Sequence, residues 1–190
     1  MVVKGESIAC GGAPAGETAD AVERLAALFD AHYGRLYRLA RRLTSNSDDA
    51  LDLVQETFLR AARSACSIPH GTADEEAWLV RVLINIRRDQ WRRILIRERH
   101  RGKVPDRAAV IRAMGEPESA LVRRAAIWRA LDMLAPRRRA VVVMKELEGL
   151  SAGTIASLLG ISRITVRWHL SMGRRDLLRL LKPYIGGKNE

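Results

Sequence analysis

Residues 151–170 read Ser-Ala-Gly-Thr-Ile-Ala-Ser-Leu-Leu-Gly-Ile-Ser-Arg-Ile-Thr-Val-Arg-Trp-His-Leu, and this stretch constrains the fold more than any other. Two helices that meet across a tight turn need a small residue where they approach, and Ala156 supplies it. Gly160 is placed to take the positive φ that a helix C-terminus often requires. Ser162 fits as the N-cap of the second helix. In that helix Val166, Leu170, Gly173 and Leu177 fall within a narrow stripe at 100° per residue, the inward face. Ile155, Leu159 and Ile161 complete a small core. These features agree on a helix-turn-helix.

The same spacing fixes the outward face. Arg163, Arg167, Ser171 and Arg174 lie on one flank, with Ile164 and Trp168 opposite the core. A recognition helix offers its N-terminal side chains to base edges and further basic residues to phosphates. Arg163 and Arg167 are the candidates for base or phosphate contact, and Arg174 and Arg175 for phosphate. Arg137, Arg138 and Arg139, opening the preceding helix, are also placed to reach the DNA backbone. Ile164 and Trp168 either touch thymine methyls or form a protein contact that covers the DNA surface. The plain alternative for the whole segment is a helical hairpin that binds protein.

The rest of the chain is helical in period as well. From Ala21 to Leu43 the residues Leu25, Leu28, Phe29, Leu36, Leu39, Ala40 and Leu43 recur at helical spacing. After a break over 44–49 with a good supply of N-cap residues, a second helix starts at Ser47 or Asp48, runs to about Arg63 and places Leu51, Val54, Phe58 and Leu59 inside. After the Pro69 and Gly71 loop, a third runs from about Asp74 beyond Arg93. Four more follow, over 120–134, 137–148, 151–159 and 162–181. Strand-like alternation is essentially absent. The expectation is an all-α protein of two small helical domains joined by a flexible linker, the C-terminal one a helix-turn-helix. The expected division is a disordered extension over 1–20, a domain over 21–101, a linker over 102–117 with a short helical piece around 108–114, and a domain over 118–185.

Charge divides these segments by partner. Residues 1–80 carry 8 basic and 12 acidic side chains, whereas 81–103 carry 9 against 2 and 137–182 carry 10 against 3. Two separated basic blocks suit two polyanion contacts, and the acidic half suits a different one. No apolar run approaches the ~18–20 residues of a membrane span. Cys10 and Cys66 are too few for a disulfide scaffold or a four-ligand zinc site. His32, His70, His100 and His169 are scattered, and no carboxylate pair, phosphate loop or nucleophile elbow is recognisable. The expectation is a soluble cytoplasmic protein, not an enzyme, with no cofactor and no metal.

In the third helix Leu79, Val82, Leu83 and Ile86 point one way, with Trp78 at the edge of that stripe. Arg81, Asn85, Arg88 and Arg92 occupy a neighbouring flank, a row of guanidiniums with an amide among them that suits a nucleic-acid backbone. Asp89 is expected to pair with a neighbouring Arg. Trp91 either stacks on an unpaired base or packs against the linker. The second helix carries Asp48, Asp49, Asp52, Gln55 and Glu56, unsuited to DNA and suited to a basic protein partner. Its alternative is a solvated face whose acids favour the helix N-terminus.

Residues 48–61, Asp-Asp-Ala-Leu-Asp-Leu-Val-Gln-Glu-Thr-Phe-Leu-Arg-Ala, with the run Ala77-Trp-Leu-Val-Arg-Val-Leu-Ile-Asn-Ile-Arg-Arg-Asp-Gln-Trp-Arg-Arg, resemble the second region of a bacterial RNA polymerase sigma factor of the sigma-70 family. Leu131 through Arg175 resembles the fourth region, and the short tether resembles the extracytoplasmic-function (ECF) type. The resemblance implies a promoter-specificity subunit that binds core RNA polymerase, recognises −10 and −35 elements and helps open DNA. It implies that Asp52, Gln55 and Glu56 dock on the β′ clamp helices, with a second polymerase contact at the β flap. Arg81, Asn85, Arg88 and Arg92 are implied for the −10 region, and the loop 64–72 as a pocket for a flipped-out base. The helix from Ser162 would read the −35 element, and an anti-sigma factor would occlude one or both surfaces. Two rivals stand beside this reading: a one-component helix-turn-helix regulator, and a sigma-like decoy that binds an anti-sigma factor.

Overall fold

The computed structural model describes residues 15–100 and 120–185, and every described element is helical. Helix α1 spans Ala15–Leu43, so it starts six residues before the expected boundary at Ala21. Residues 1–14 and the expected linker with its helical piece lie outside the described residues. Helix α2 spans Ser47–Arg63 and is capped by Asn46, whose side chain accepts from the Asp49 amide at 2.7 Å. The helix therefore starts at Ser47, one of the two expected positions, with its cap in the break just before it. Asp48 and Asp49 then sit in the first turn, where the helix dipole favours acids.

The inward face of α2 also departs from expectation. Val54 and Phe58 are buried, but Leu51 is 37% exposed and Leu59 51%. Ala50, Leu53, Thr57 and Ala61 take their place. Small residues at 50, 57 and 61 let α2 approach its neighbours closely, and the buried Thr57 hydroxyl donates to the Leu53 carbonyl at 2.7 Å. Phe29, expected inside, is partly exposed and stacks on Tyr33 with a centroid distance of 4.8 Å. A 3-10 turn at Ala65–Ser67 leads to Gly71 (φ +102°) and helix α3, Thr72–His100. Leu79, Val80, Leu83, Ile84 and Ile86 join the core from α3.

In the second lobe α4 spans Ala120–Asp132 and α5 spans Pro136–Val142. Proline at the first helical position loses no hydrogen bond there. The chain continues as a π turn over Val143–Leu147, closed by the Glu148 amide on the Val143 carbonyl at 3.2 Å. Helices α6, Ala152–Leu159, and α7, Arg163–Ile185, form the helix-turn-helix. Gly160 is left-handed at φ 62° and ψ 41°, and the Ser162 hydroxyl accepts from the Thr165 amide at 3.0 Å, as expected of both. Ser151 caps α6 in the same way, through the Thr154 amide at 3.0 Å.

The two lobes share one apolar cluster. Val141, Met144, Ile155, Leu159 and Val166 pack into the same buried group as Leu36, Leu39, Leu83 and Ile84. Arg139, expected to reach DNA, is only 2% exposed and points the other way. Its Nε donates to the Arg42 carbonyl at 2.9 Å and its Nη2 to the Thr44 carbonyl at 3.3 Å, and Asp132 pairs with Nη1. Arg87 donates to the Leu43 carbonyl at 3.1 Å. Carbonyls at a helix C-terminus carry partial negative charge and lack intrahelical donors, so two guanidiniums are well matched to them.

Candidate nucleic-acid interface

Helix α7 presents the expected residues to solvent. Arg163, Arg167, Ser171 and Arg174 are exposed, with Ile164 at 76% and Trp168 at 54%. Val166 and Gly173 are buried on the opposite side, and Leu170 and Leu177 are partly so. A Cβ at Gly173 would lie 2.5 Å from Val142 Cγ2, so only glycine lets α7 cross α5 this closely. Arg174 is already held by Glu146, with Nη2 to Oε1 at 2.7 Å and Nε to Oε1 at 3.0 Å. Arg138 pairs with Asp176 and stands 5.8 Å from the Trp168 ring centroid. The expected use of Arg138 on the DNA backbone therefore competes with these contacts, and Arg139 is removed from that face altogether.

The flank of α3 is split. Arg88 and Arg92 are exposed and Asn85 is half-buried. Arg88 pairs with Asp89 at 3.5 Å, as expected of that acid. Arg81, the fourth residue of the row, turns to the second lobe and donates to the Ser157 carbonyl at 3.3 Å. Its Cδ lies 3.1 Å from where a Gly160 Cβ would be, so the turn of the helix-turn-helix rests on it.

Asp52, Gln55 and Glu56 come together on one wall of a groove of about 450 Å³ between α2 and α3. Leu59 joins them, and Ile86, Asp89 and Gln90 form the facing wall. Glu56 pairs with Arg60 one turn on, at 3.1 Å. Arg60 and Arg93 complete the lining, so the exposed Leu59 sits among charges of both signs. The exposure of Leu59 was not readable from its helical spacing. The loop over 64–72 is tied to α1 by Arg24, whose Nη2 donates to the carbonyls of Ile68 at 2.9 Å and Pro69 at 3.2 Å. A mainly apolar pocket of about 250 Å³ opens between them, beside Leu25, Leu28, Ala65 and Cys66.

Family models for sigma-70 region 2 and sigma-70 region 4 match residues 28–94 and 124–177, in that order along the chain. The ECF RNA polymerase sigma factor SigM of Mycobacterium tuberculosis is 33% identical over 162 residues, 85% of this chain and 79% of SigM. The chain belongs to the ECF sigma factors of the sigma-70 family. The ECF RNA polymerase sigma factor SigE of Mycolicibacterium smegmatis is 40% identical over 155 residues, which cover 77% of this sigma factor and 57% of that relative. CnrH, solved in complex with the cytosolic domain of CnrY, shares the fold with a TM-score of 0.55 at 24% identity, over 86% of this chain and 94% of CnrH. The region 2 match contains both the acidic groove and the α3 flank, and the region 4 match contains the helix-turn-helix. A sensor or dimerisation domain over 21–101, which the one-component regulator required, is therefore not favoured. No described helix of this sigma factor is long and apolar enough to cross a membrane.

Proposed function

We propose that this sigma factor docks core RNA polymerase through the groove of Asp52, Gln55, Glu56 and Leu59, and reads promoter DNA with α3 and α7. The juxtaposition of those three polar residues with an exposed leucine carries the docking assignment. Asn85, Arg88 and Arg92 engage the −10 region, and Arg163 and Arg167, with Ile164, Trp168 and Ser171 beside them, meet the −35 element. Arg174 completes the phosphate contact once released from Glu146. In this reading the chain carries out no covalent step; it works in the cytoplasm with the polymerase, which makes the RNA, and the β flap holds the second lobe. Each DNA contact is weak alone, and mounting both on one enzyme raises their effective concentration.

The packing of the lobes supports a closed resting form. Elements at positions −10 and −35 lie about 25 base pairs apart by their numbering, about 85 Å of duplex at ~3.4 Å per step. Arg81 touches the turn before the recognition helix, and Arg92 lies only about 16 Å further along α3 at ~1.5 Å per residue. Reading both elements at once therefore requires the lobes to part, which also frees Arg81 for DNA. An anti-sigma factor that binds either face would hold the protein away from promoters; CnrH, which shares this fold, was solved with a protein partner, the cytosolic domain of CnrY.

Equilibrium binding to purified core polymerase tests the docking assignment. Glu56→Arg should weaken binding more than tenfold while its helical content stays unchanged. Unaltered affinity in that variant would remove the groove from the interface. Failure of the unsubstituted protein to bind core would leave the decoy reading.

A further inference from the structure

The junction of the lobes holds a third concave surface, of about 470 Å³, which shares no lining residue with the groove between α2 and α3. Helix α1 lines it with Tyr37, Arg38, Arg41 and Arg42, and α4 faces them with Arg124 and Trp128. Arg38, Arg41 and Arg124 are exposed and have no hydrogen-bond or ion-pair partner among the described residues. Arg42 gives one nitrogen to Glu148 at 2.7 Å. Among the described residues no carboxylate lines the pocket.

Guanidiniums three and four residues apart on one helix repel each other, and here a further one stands across the gap. An anion placed between them removes that repulsion. Guanidinium forks match phosphate oxygens two at a time, which a lone carboxylate satisfies less fully. The two rings add a second preference. Tyr37 stacks on Tyr33 at a centroid distance of 6.0 Å, and Trp128 is seated on the small cluster of Leu131, Leu134 and Val142. Both rings are thus anchored, and aromatic side chains so held are platforms for a nucleobase. The volume falls within the ~300–1,000 Å³ of small-molecule sites.

We propose that this pocket binds a nucleoside diphosphate or polyphosphate, with phosphates among Arg38, Arg41 and Arg124 and the base against Tyr37 and Trp128. Because its walls come from both lobes, the ligand favours the closed arrangement. The site stands independently of the promoter assignment, since its test needs neither polymerase nor DNA.

The test is calorimetric titration of the full chain with ADP, GDP and inorganic pyrophosphate at physiological salt. One saturable site is expected, with at least one nucleotide binding tenfold or more tighter than pyrophosphate. Trp128→Leu, which keeps apolar packing, should bring the nucleotide down to the pyrophosphate level. Arg38→Glu with Arg41→Glu should abolish binding of both, and Arg163→Glu with Arg167→Glu on the recognition helix should leave it unchanged. Saturable binding should raise the melting temperature, and the Arg38/Arg41 variant should lose that rise. Absence of saturable binding, equal binding by the Arg38/Arg41 variant, or loss in the recognition-helix variant would overturn the site. Equal affinity for pyrophosphate, insensitive to Trp128→Leu, would overturn the nucleotide.

Discussion

The carboxylate of Glu148 lies 2.8 Å from Nη2 of Arg35, across the junction of the two lobes. Its other oxygen meets Arg42 at 2.7 Å, and the side chain is almost fully buried. Burial alone pulls the Arg35 guanidinium down, but the hydrogen bond and charge of Glu148, with Glu76, outweigh it and raise the group above its ordinary value. Two opposite charges that lose water together stabilise only while both are present. Glu148→Gln should therefore cost about 2 kcal/mol of stability. A double-mutant cycle with Arg35→Ala, read by urea unfolding, should give a coupling of about 1–2 kcal/mol. Strict additivity would show that the pair does not join the lobes.

Gly173 meets Val142 at the crossing of α7 over α5. Gly173→Ala gains helix propensity but forces a methyl into a filled space, a net loss of about 1–3 kcal/mol. Combining it with Val142→Ala should recover part of that loss in thermal unfolding. A stabilised Gly173→Ala protein would contradict the packing.

Burial first, and then the charges of Arg138 and Arg137, hold the His169 imidazole below its ordinary value of 6.5. Its Nδ1 is buried without a hydrogen-bond partner among the described residues. The folded state thus takes up the proton less readily than the unfolded chain. Stability from this residue is intact above pH 6.5 and is lost as pH falls through that value toward the lower folded one. The urea midpoint should drop as pH falls below about 6.5, and His169→Gln should flatten part of that drop. An unchanged pH profile in the variant would show that His169 does not carry it.

Arg167 and Arg174 should separate on DNA. Arg167→Ala should weaken use of a −35 element by about 1–3 kcal/mol and relax discrimination at one position. Arg174→Ala should weaken all sequences alike and reduce the salt dependence by about one phosphate. Footprinting at several salt concentrations distinguishes the two. Identical behaviour would mean that neither reads a base.

The helix-turn-helix was legible because its determinants are local. Gly160, Ser162 and Val166 act within a few residues of themselves, and spacing alone places them. Arg139 was not legible, because its acceptors lie 97 and 95 residues away in the chain. Three consecutive arginines read as a face for the DNA backbone, and only the arrival of the α1 C-terminus makes one of them internal. Arg81 belonged to a row by period, but period does not say which lobe a flank will meet. Leu51 and Leu59 show the converse. Small residues at 50, 57 and 61 set the closest approach of α2 and displaced larger neighbours to the surface. The acidic groove was half legible: its carboxylates were assigned, and the leucine that gives it apolar character was not.

Run-off transcription with purified core polymerase and templates carrying paired −10 and −35 elements tests the account most directly. Adding the full chain should produce new, template-specific start sites, lost with Glu56→Arg and shifted in −35 dependence by Arg167→Ala. A chain that binds no core, or binds it and leaves every start site where it was, would contradict the account.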